Sequence, residues 1–360
     1  MRIAHTEASL GWGGQEIRIL SEAKGLIGRG HEVVLLCPAE ARIYAEAPAW
    51  GVPAVALPIG EKRLRGMRAL MRWFREHPCD VVSTHSSTDS WLTAFALLAM
   101  GRPFPVVRTR HISAPVPRNV ATRWLYTRAT SRIVTTGELL KKELVEVNGY
   151  LASRIDSVPT GIDPRRFRPG EPAQARLRLG LPQERALVGI VATLRSWKGH
   201  LLLIEAVAGL PETVVLVIVG DGPMREQLEA LAAKLQLGER VRFAGNQADV
   251  APWLQAFDVF VLPSYANEGV PQALVQAMLT GLPCVTTTVG SISELAKDDE
   301  TALVVPPREV APLRAAILRL LMSPETRARL GEAARKHCEA GFSYEAMLDK
   351  MERIYKNLIS

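Results

Sequence analysis

Four side chains in the second half of the chain have the types and spacing to hold a phosphorylated, hydroxylated small molecule. Glu268 precedes a stretch with helical periodicity, and Gln276 follows eight residues later, about two turns along a regular helix. Arg195 and Lys198 are three residues apart, between an apolar run and another helical stretch. A carboxylate accepts hydrogen bonds from sugar hydroxyls, an amide both donates and accepts, and two fixed cations can grip a diphosphate.

The residues around Glu268 predict a strand, a loop and a helix. Residues 257–262 form a short, apolar, β-branched run that is typical of a buried strand. Helical spacing follows, with Pro271 at the first helical position and Gly281 at the C-terminal stop. The unpaired N–H groups of the first helical turn carry partial positive charge and suit a phosphate. The alternative is an ordinary strand–loop–helix unit with a solvent-facing glutamate.

Arg195 and Lys198 follow residues 187–194, a continuous apolar run of the fully buried strand type. When a bond to a diphosphate breaks, the leaving group gains negative charge, and fixed cations stabilise that transition state more than the ground state. Such a site needs no metal, and the sequence carries no Asp-x-Asp pair in a plausible place. We therefore expect neither a metal nor a cofactor. The alternative is an ordinary basic loop.

A glycine loop, Gly11-Trp-Gly-Gly-Gln-Glu16, follows the first predicted strand and precedes a helical stretch and a second strand. This order predicts a parallel, Rossmann-like sheet whose ligands lie at the C-terminal ends of the strands. The dinucleotide-binding pattern fails because Glu16 stands where its third glycine should be. Gly13 and Gly14 indicate either a close approach of backbone to phosphate or a simple tight turn.

Two further predicted strands, at residues 80–84 and 105–110, are each followed by a histidine. His111 and His85 would both lie at the ligand-binding edge of the sheet. His111 could hydrogen-bond a ligand or serve as a satisfied core or cap residue. For His85 the structural role is favoured.

Taken together, these stretches resemble the retaining glycosyltransferases of family 4, the group 1 glycosyl transferases, which have the two-domain GT-B fold. Residues 263–281 resemble the Glu-(seven residues)-Glu motif of that family, in which the first Glu holds the donor sugar and the second holds the ribose. Glu268 matches the first position, but Gln276 stands at the second and cannot make a charge-assisted bond. The resemblance covers nearly the whole chain and is most specific over residues 186–295.

The resemblance also implies roles for individual residues. Arg195 and Lys198 match the diphosphate pair of the family, and His111 falls where a histidine lies near the transferred sugar. The implied chemistry is a front-face attack in which the leaving phosphate takes the acceptor proton, so no protein general base is named. The expected donor contacts are Gly13, Gly14, Gly269, Val270, Gln276 and, beside the base, Asn246.

The length of 360 residues exceeds what one core usually supports, so two domains are expected. The fold class is α/β: a GT-B arrangement of two Rossmann-like, doubly wound parallel-sheet domains facing across a cleft. Prolines and glycines between residues 159 and 172 predict a linker. We expect an acceptor-binding domain over 1–168, a nucleotide-sugar-binding domain over 169–340, and a helix over 341–360 that crosses back to the first domain.

The positive charge is concentrated in the first half. Residues 1–170 hold 24 Lys and Arg against 15 Asp and Glu, net +9, whereas residues 171–360 hold 20 against 22, net −2. Residues 62–75 add a basic amphipathic helix that could lie on anionic lipid. The alternative, a surface helix docked on its own domain, is compatible with that role. The predicted partner is an anionic membrane surface or a phosphorylated acceptor; nucleic acid is disfavoured because basic motifs interleaved with aromatic residues are missing.

Cellular location follows from what the sequence lacks. No apolar run approaches the roughly 18 residues needed to span a bilayer, and no secretory signal is evident. The four cysteines are scattered, which favours reduced thiols. We expect a cytoplasmic protein that can sit peripherally on the inner face of the membrane.

The predicted function is transfer of a sugar from a nucleotide-diphosphate donor to a hydroxyl of a lipid-linked, lipopolysaccharide, polysaccharide or other oligosaccharide acceptor. Two alternatives stay open. One is a sugar-nucleotide epimerase on the same fold, and the other is a binding-only relative weakened by Gln276. The sequence leaves the donor sugar, the base, the acceptor and the oligomeric state undetermined.

Overall fold

A computed structural model describes residues 1–111, 115–266 and 268–359 of the protein. Asn267, inside the predicted strand–loop–helix stretch, lies outside the described residues. The chain forms two parallel sheets of seven and six strands. This confirms the predicted pair of Rossmann-like α/β domains.

Two compact units divide the chain. One comprises Met1–Gly161 together with the segment from Glu345 onward, and the other is Ile162–Tyr344. The sequence had suggested a boundary near residue 168, within the same Pro- and Gly-rich segment.

The first unit is built on a seven-stranded sheet in which every neighbouring pair is parallel. Its strands are β1 (Arg2–Thr6), β2 (Glu32–Cys37), β3 (Ala54–Ala56), β4 (Val81–Thr84), β5 (Val106–Arg110), β6 (Arg132–Thr135) and β7 (Ile155–Ser157). Its helices are α1 (Gly14–Gly28), α2 (Arg42–Glu46), α3 (Leu64–Glu76), α4 (Ser87–Ala99), α5 (Val120–Thr127) and α6 (Glu138–Glu146). The order is β3-β2-β1-β4-β5-β6-β7. The strand order reverses between β1 and β4, the point where ligands bind in open α/β sheets.

Helix α3 is the basic amphipathic helix predicted from the sequence. Leu70, Trp73 and Phe74 are buried in the core of the first unit, so the helix docks on its own domain. Leu64, which has the helical spacing of the apolar face, is 64% exposed because it is the first helical residue and precedes the docked turns. The arginines of this segment are all exposed: Arg63, Arg65, Arg68, Arg72 and Arg75.

The second unit has a parallel sheet in the order β10-β9-β8-β11-β12-β13. Its strands are β8 (Ala186–Val191), β9 (Val214–Val219), β10 (Val241–Gly245), β11 (Val259–Leu262), β12 (Cys284–Thr286) and β13 (Leu303–Val304). Its helices are α7 (Pro172–Leu179), α8 (His200–Ala208), α9 (Arg225–Lys234), α10 (Ala251–Ala256), α11 (Gln272–Leu279), α12 (Val310–Met322) and α13 (Pro324–Gly341). Strand order reverses between β8 and β11, so the loops after these two strands lie side by side.

The last helix, α14 (Tyr344–Ile359), packs on the first unit. The buried Tyr355 hydroxyl donates to Glu22 Oε1 at 2.9 Å, and Glu22 in turn lies 3.8 Å from Arg18 Nε. At the surface, Arg29 forms ion pairs with three acids of α14: Glu345, Asp349 and Glu352. A buried polar cluster and a surface charge cluster thus tie the end of the chain to α1.

Candidate active site

Glu268 and Lys198 are in direct contact although 70 residues separate them in sequence. Lys198 Nζ donates to Glu268 Oε1 at 2.6 Å. The Glu268 side chain is only 5% exposed and that of Lys198 20% exposed. The solvent-facing alternative for Glu268 is therefore wrong. The carboxylate is held at the sheet edge by a partly buried cation.

The backbone of Glu268 is fixed by the loop after β12. Gly290 has φ +60°, and a Cβ at this position would stand 1.9 Å from the Glu268 carbonyl oxygen. Ser291 N donates to the same oxygen at 3.4 Å, and Thr287 Oγ1 donates to Ser264 O at 2.6 Å. Any larger residue at position 290 would push this loop away. The direction of the Glu268 carboxylate therefore depends on two loops.

The loop that carries Lys198 is held in the same way. Residues 196–198 form a single 3₁₀ turn after β8. Tyr265 N donates to Trp197 O at 2.8 Å, which joins this turn to the loop after β11. Gly199 has φ +78°, and a Cβ there would meet Pro263 O at 2.2 Å. The close approach that brings Lys198 to Glu268 thus requires glycine at position 199.

Arg195 stands at the start of the same turn and is exposed. Its guanidinium lies 5.9 Å from the centre of the Trp197 ring. Lys198 pairs with Glu268, whereas the Arg195 side chain is exposed to solvent. The loop therefore presents one paired and one exposed cation.

Helix α11 begins at Gln272, and Pro271 is its N-cap rather than its first residue. Strand β11 begins at Val259 instead of residue 257. The side chain of Asp258, just before it, accepts from Leu187 N and from Arg176. Gln276 is half-buried in the middle of α11. The other predicted donor contacts of this unit lie on loops: Gly269 and Val270 are half-buried, and Asn246 is exposed just beyond β10.

The glycine loop of the first unit leads directly into α1. Gly13 is the N-cap of that helix and Gly14 its first residue. Nearby, Gln15 donates to the buried Glu7, whose pKa is raised to about 8 by burial and then by the carboxylate of Asp89. At neutral pH Glu7 is mostly protonated, which limits the negative charge beside a loop expected to meet phosphates.

Three histidines of the first unit form a hydrogen-bonded chain. His5 Nδ1 lies 2.8 Å from His85 Nε2, and His85 Nδ1 lies 3.0 Å from His111 Nε2. His5 and His85 are buried and stacked, with ring planes 9° apart. Burial lowers the pKa of His85 and of His111 well below 6.5, so both are neutral at pH 7. The two histidines predicted at strand ends are thus brought together, and His5 joins them.

Asp89 holds the turn that carries His85. Its Oδ2 accepts from His85 N at 2.9 Å and from Thr6 Oγ1 at 2.7 Å. Its Oδ1 accepts from Ser86 N at 2.8 Å and completes the N-terminal cap of α4. Backbone and ring of His85 are therefore both fixed.

Several contributors to these sites were not assigned by sequence reasoning. Gly199 follows the predicted strand at residues 187–194, and Gly290 follows the short run Cys284-Val-Thr-Thr-Thr288. Their place just after such runs is the sequence signal for their close contacts. His5 ends the first predicted strand, as His85 and His111 follow theirs. The repeated placement of histidine at strand ends was the signal that links the three.

The described residues contain neither a cluster of metal-ligand side chains nor a helix that could span a membrane. Across residues 1–111, 115–266 and 268–359, no group of three or more His, Cys, Asp or Glu side chains could hold a metal ion. Among the helices described, none has both the length and the apolar character to cross a bilayer. The four cysteines are free and buried.

Comparison with protein families gives matches over both units. The family described as Glycosyltransferase Family 4 matches residues 12–166, and the family described as Glycosyl transferases group 1 matches residues 173–337. The D-inositol 3-phosphate glycosyltransferase of Frankia alni is 30% identical over 311 residues, which cover 78% of this chain and 75% of that protein. The enzyme of the same name from Nocardia farcinica is 32% identical over 294 residues, 74% of this chain and 63% of its own length.

Solved structures share the whole fold at lower identity. Anabaena HepE in complex with UDP has a TM-score of 0.89 at 21% identity, over 99% of this chain and 100% of that one. A glycosyltransferase from Rickettsia africae has a TM-score of 0.90 at 19% identity, over 100% and 98%. These likenesses establish the architecture.

Proposed function

Because this chain belongs to glycosyltransferase family 4, the group 1 glycosyl transferases, we propose that it moves a sugar from a nucleotide-diphosphate donor to an acceptor hydroxyl, with retention at the anomeric carbon. The observation that carries the proposal is the arrangement of Glu268, Lys198 and Arg195. The buried Glu268 carboxylate contacts Lys198 between neighbouring loops at the switch point of the second sheet, and the exposed Arg195 lies three residues before Lys198 on the same loop.

Each group has a proposed role. Glu268 accepts hydrogen bonds from hydroxyls of the donor sugar, and Arg195 and Lys198 bind the diphosphate. Gln276 contacts the ribose, Asn246 the base, and Gly269 and Val270 add backbone contacts. In the first unit, Gly13 and Gly14 are assigned to the phosphates and His111 to the reacting sugar.

The reaction we propose is a front-face displacement. The bond between the anomeric carbon and the diphosphate oxygen breaks, and the acceptor oxygen bonds to that carbon on the same face. The departing phosphate oxygen takes the acceptor proton, so charge and protons balance without a protein base. Lys198 and Arg195 stabilise the charge that develops on the diphosphate, and no metal or cofactor is required in this scheme.

The proposed donor carries UDP. Support comes from Anabaena HepE, whose structures hold UDP and UDP-glucose and whose fold this chain shares. The proposed acceptor is a lipid-linked, lipopolysaccharide or other polysaccharide sugar reached at an anionic membrane surface, consistent with the net +9 of residues 1–170 and the exposed arginines of α3. The name of the curated relatives favours a second candidate, a phosphorylated inositol, which would also suit a basic acceptor side.

The test begins with thermal stabilisation by UDP, GDP and ADP, because a ligand that binds the folded state raises its melting temperature by an amount that grows with affinity and concentration. The preferred nucleotide is then supplied as a panel of sugar donors, with and without acceptors of the two proposed classes. Transfer with an α-linked product from an α-linked donor, seen by NMR of the anomeric proton, supports the proposal. Epimerised donor in the absence of acceptor would establish the epimerase instead. Nucleotide binding with neither product would support the binding-only relative.

A further inference from the structure

The buried end of the histidine chain indicates which way the hydrogen bonds between the three rings run. Among the described residues, His5 Nε2 is buried and has no hydrogen-bond partner. Glu22 of α1, whose charge acts on His5, accepts from Tyr355 through Oε1, while its Oε2 lies 3.8 Å from Arg18 Nε and is buried without a hydrogen bond to any described residue. No hydrogen bond joins Glu22 to His5 in the described part of the chain. Whatever occupies this nitrogen, a proton or a lone pair, is not matched by a protein group.

A neutral imidazole has one N–H and one lone pair, so a ring that accepts at one nitrogen must donate at the other. The direction of one hydrogen bond therefore fixes the direction of the next. If His5 Nε2 bore the proton, an N–H donor would be buried without an acceptor, which is the rarer kind of unsatisfied group in proteins. If it bears the lone pair, His5 Nδ1–H donates to His85 Nε2 and His85 Nδ1–H donates to His111 Nε2. The second arrangement leaves no orphaned donor.

We infer that His5 and His85 are positioning residues that hold His111 as its Nδ1–H tautomer, so that His111 meets the substrate as a hydrogen-bond donor. The part that concerns the substrate rests on the proposed function, in which His111 faces the reacting sugar. The part that concerns the tautomer rests on the geometry of the first unit alone. A donor at this position suits a sugar hydroxyl oxygen or a phosphate oxygen and disfavours a cationic ligand.

Tautomers can be measured without any substrate. We would label the protein with ¹⁵N-histidine and record long-range ¹H–¹⁵N correlations at neutral pH, where protonated and unprotonated ring nitrogens differ clearly in shift. His337 is an internal reference, because its Nε2 lies 2.9 Å from the Glu294 carbonyl oxygen and must donate to it. Single variants assign the signals, with His337→Gln identifying the reference. The expected result is the Nδ1–H form for His5, His85 and His111, and the Nε2–H form for any of them would overturn the inference.

Substitutions that break the hydrogen-bonded row of histidines test the positioning role of His5 and His85. His85→Phe keeps an aromatic ring in the stack but removes both links, so the His111 signals should shift toward the Nε2–H form or an average. His5→Phe is a second cut should the first variant fold poorly, as judged by circular dichroism. An unchanged Nδ1–H signature of His111 in a folded variant would show that the chain does not set it.

Activity gives an independent readout. With the hydrogen-bond donor misplaced, kcat/KM of His85→Phe should fall about tenfold, while His337→Gln should match the natural protein. An unaltered kcat/KM would remove the donor role toward substrate. If the tautomers are as expected but the natural protein transfers no sugar to any acceptor, the proposed function fails and the tautomer assignment stands.

Discussion

Lys198 Nζ lies 2.6 Å from Glu268 Oε1, so the two residues that sequence reasoning assigned to different parts of the donor hold each other. A donor diphosphate that takes Lys198 must share it with Glu268 or displace it. Binding of the sugar hydroxyls to the released carboxylate would then balance the lost ion pair. The ion pair therefore couples binding of the diphosphate at Lys198 to binding of the sugar at Glu268 in the proposed donor site.

Lys198→Met should lower kcat by about 10²–10³-fold, because it removes a cation aimed at the leaving group. It also leaves the buried Glu268 carboxylate unpaired, which should lower the free energy of unfolding by up to about 3 kcal/mol. The double variant Lys198→Met/Glu268→Gln should regain part of the stability but none of the activity. Urea unfolding and steady-state kinetics measure the two effects.

The control for Lys198→Met is Lys336→Met. Lys336 also pairs with a glutamate, Glu332 at 2.8 Å, but both side chains are well exposed. Exposed pairs contribute little, so this variant should keep both stability and kcat. A Lys198→Met protein with full turnover would remove Lys198 from the site.

Gln276→Glu should raise affinity for the donor nucleotide by about tenfold, because a charge-assisted hydrogen bond to the ribose replaces a neutral one. Titration calorimetry with the preferred nucleotide diphosphate measures the gain. Gln227→Glu places the same charge on the exposed face of α9 and should leave affinity unchanged. Equal or weaker binding by Gln276→Glu would indicate that this side chain does not reach the ribose.

EDTA should leave turnover unchanged. The reason is that Arg195 and Lys198 are proposed to supply the positive charge that a divalent cation provides in metal-dependent transferases. The measurement compares initial rates in EDTA, in untreated buffer and after addition of Mg²⁺ or Mn²⁺. A rate that collapses in EDTA and returns with metal would contradict the two-cation scheme.

The contribution of His5, His85 and His111 to stability should fall as the pH drops below about 6.5, while Glu7, whose pKa is raised to about 8 in the folded state, contributes in the opposite direction. Burial depresses the pKa of His5, His85 and His111 in the folded state, whereas the unfolded chain titrates near its ordinary value of about 6.5. Below that pH the unfolded chain binds more protons, so the free energy of unfolding decreases by at most roughly 1.4 kcal/mol per pH unit for each histidine.

Charged groups near the three histidines also shift the pKa values of these histidines, the arginines downward and the glutamate upward. Arg18 and Arg108 disfavour protonation of both His85 and His111, and Arg110 that of His111, whereas Glu22 favours protonation of His5. Asp89 is buried beside His85 and accepts a hydrogen bond from the His85 backbone N–H. Urea midpoints at pH 8 and pH 5.5 measure the dependence, and His85→Phe should lose less stability between these two pH values than the natural protein does. The same slope in both proteins would mean that other groups cause it.

Replacing Arg68 and Arg72 with glutamine should weaken binding to vesicles containing phosphatidylglycerol. Each basic residue near an anionic surface contributes about 1 kcal/mol, so each change should weaken binding about fivefold. Arg178→Gln, an exposed arginine of the second unit, is the control and should bind as the natural protein does. Vesicle flotation or sedimentation gives the partition coefficients. Identical partitioning of all variants would exclude α3 from any membrane contact.

Much of this architecture could be read from local patterns. Apolar runs such as residues 187–194 and glycine loops such as Gly11-Trp-Gly-Gly predicted the buried strands and their turns, since burial on both faces of a parallel sheet leaves a continuous apolar signature. Element ends were less well defined, as at Leu64 and Phe257. At Leu64 the end is decided by where the helix docks on its domain, and at Phe257 by where β11 pairs with β8.

The sequence alone determined the class of fold, the family, and which loops carry chemistry, because strand ends and glycine turns are encoded within a few neighbouring residues. Only the tertiary structure decided which side chains meet. It pairs Lys198 with Glu268 across 70 residues and joins His5 to His85 and His111 across three strands. Contacts of this kind depend on strand order in the sheet and on loop approaches below 3 Å, and no local pattern records either.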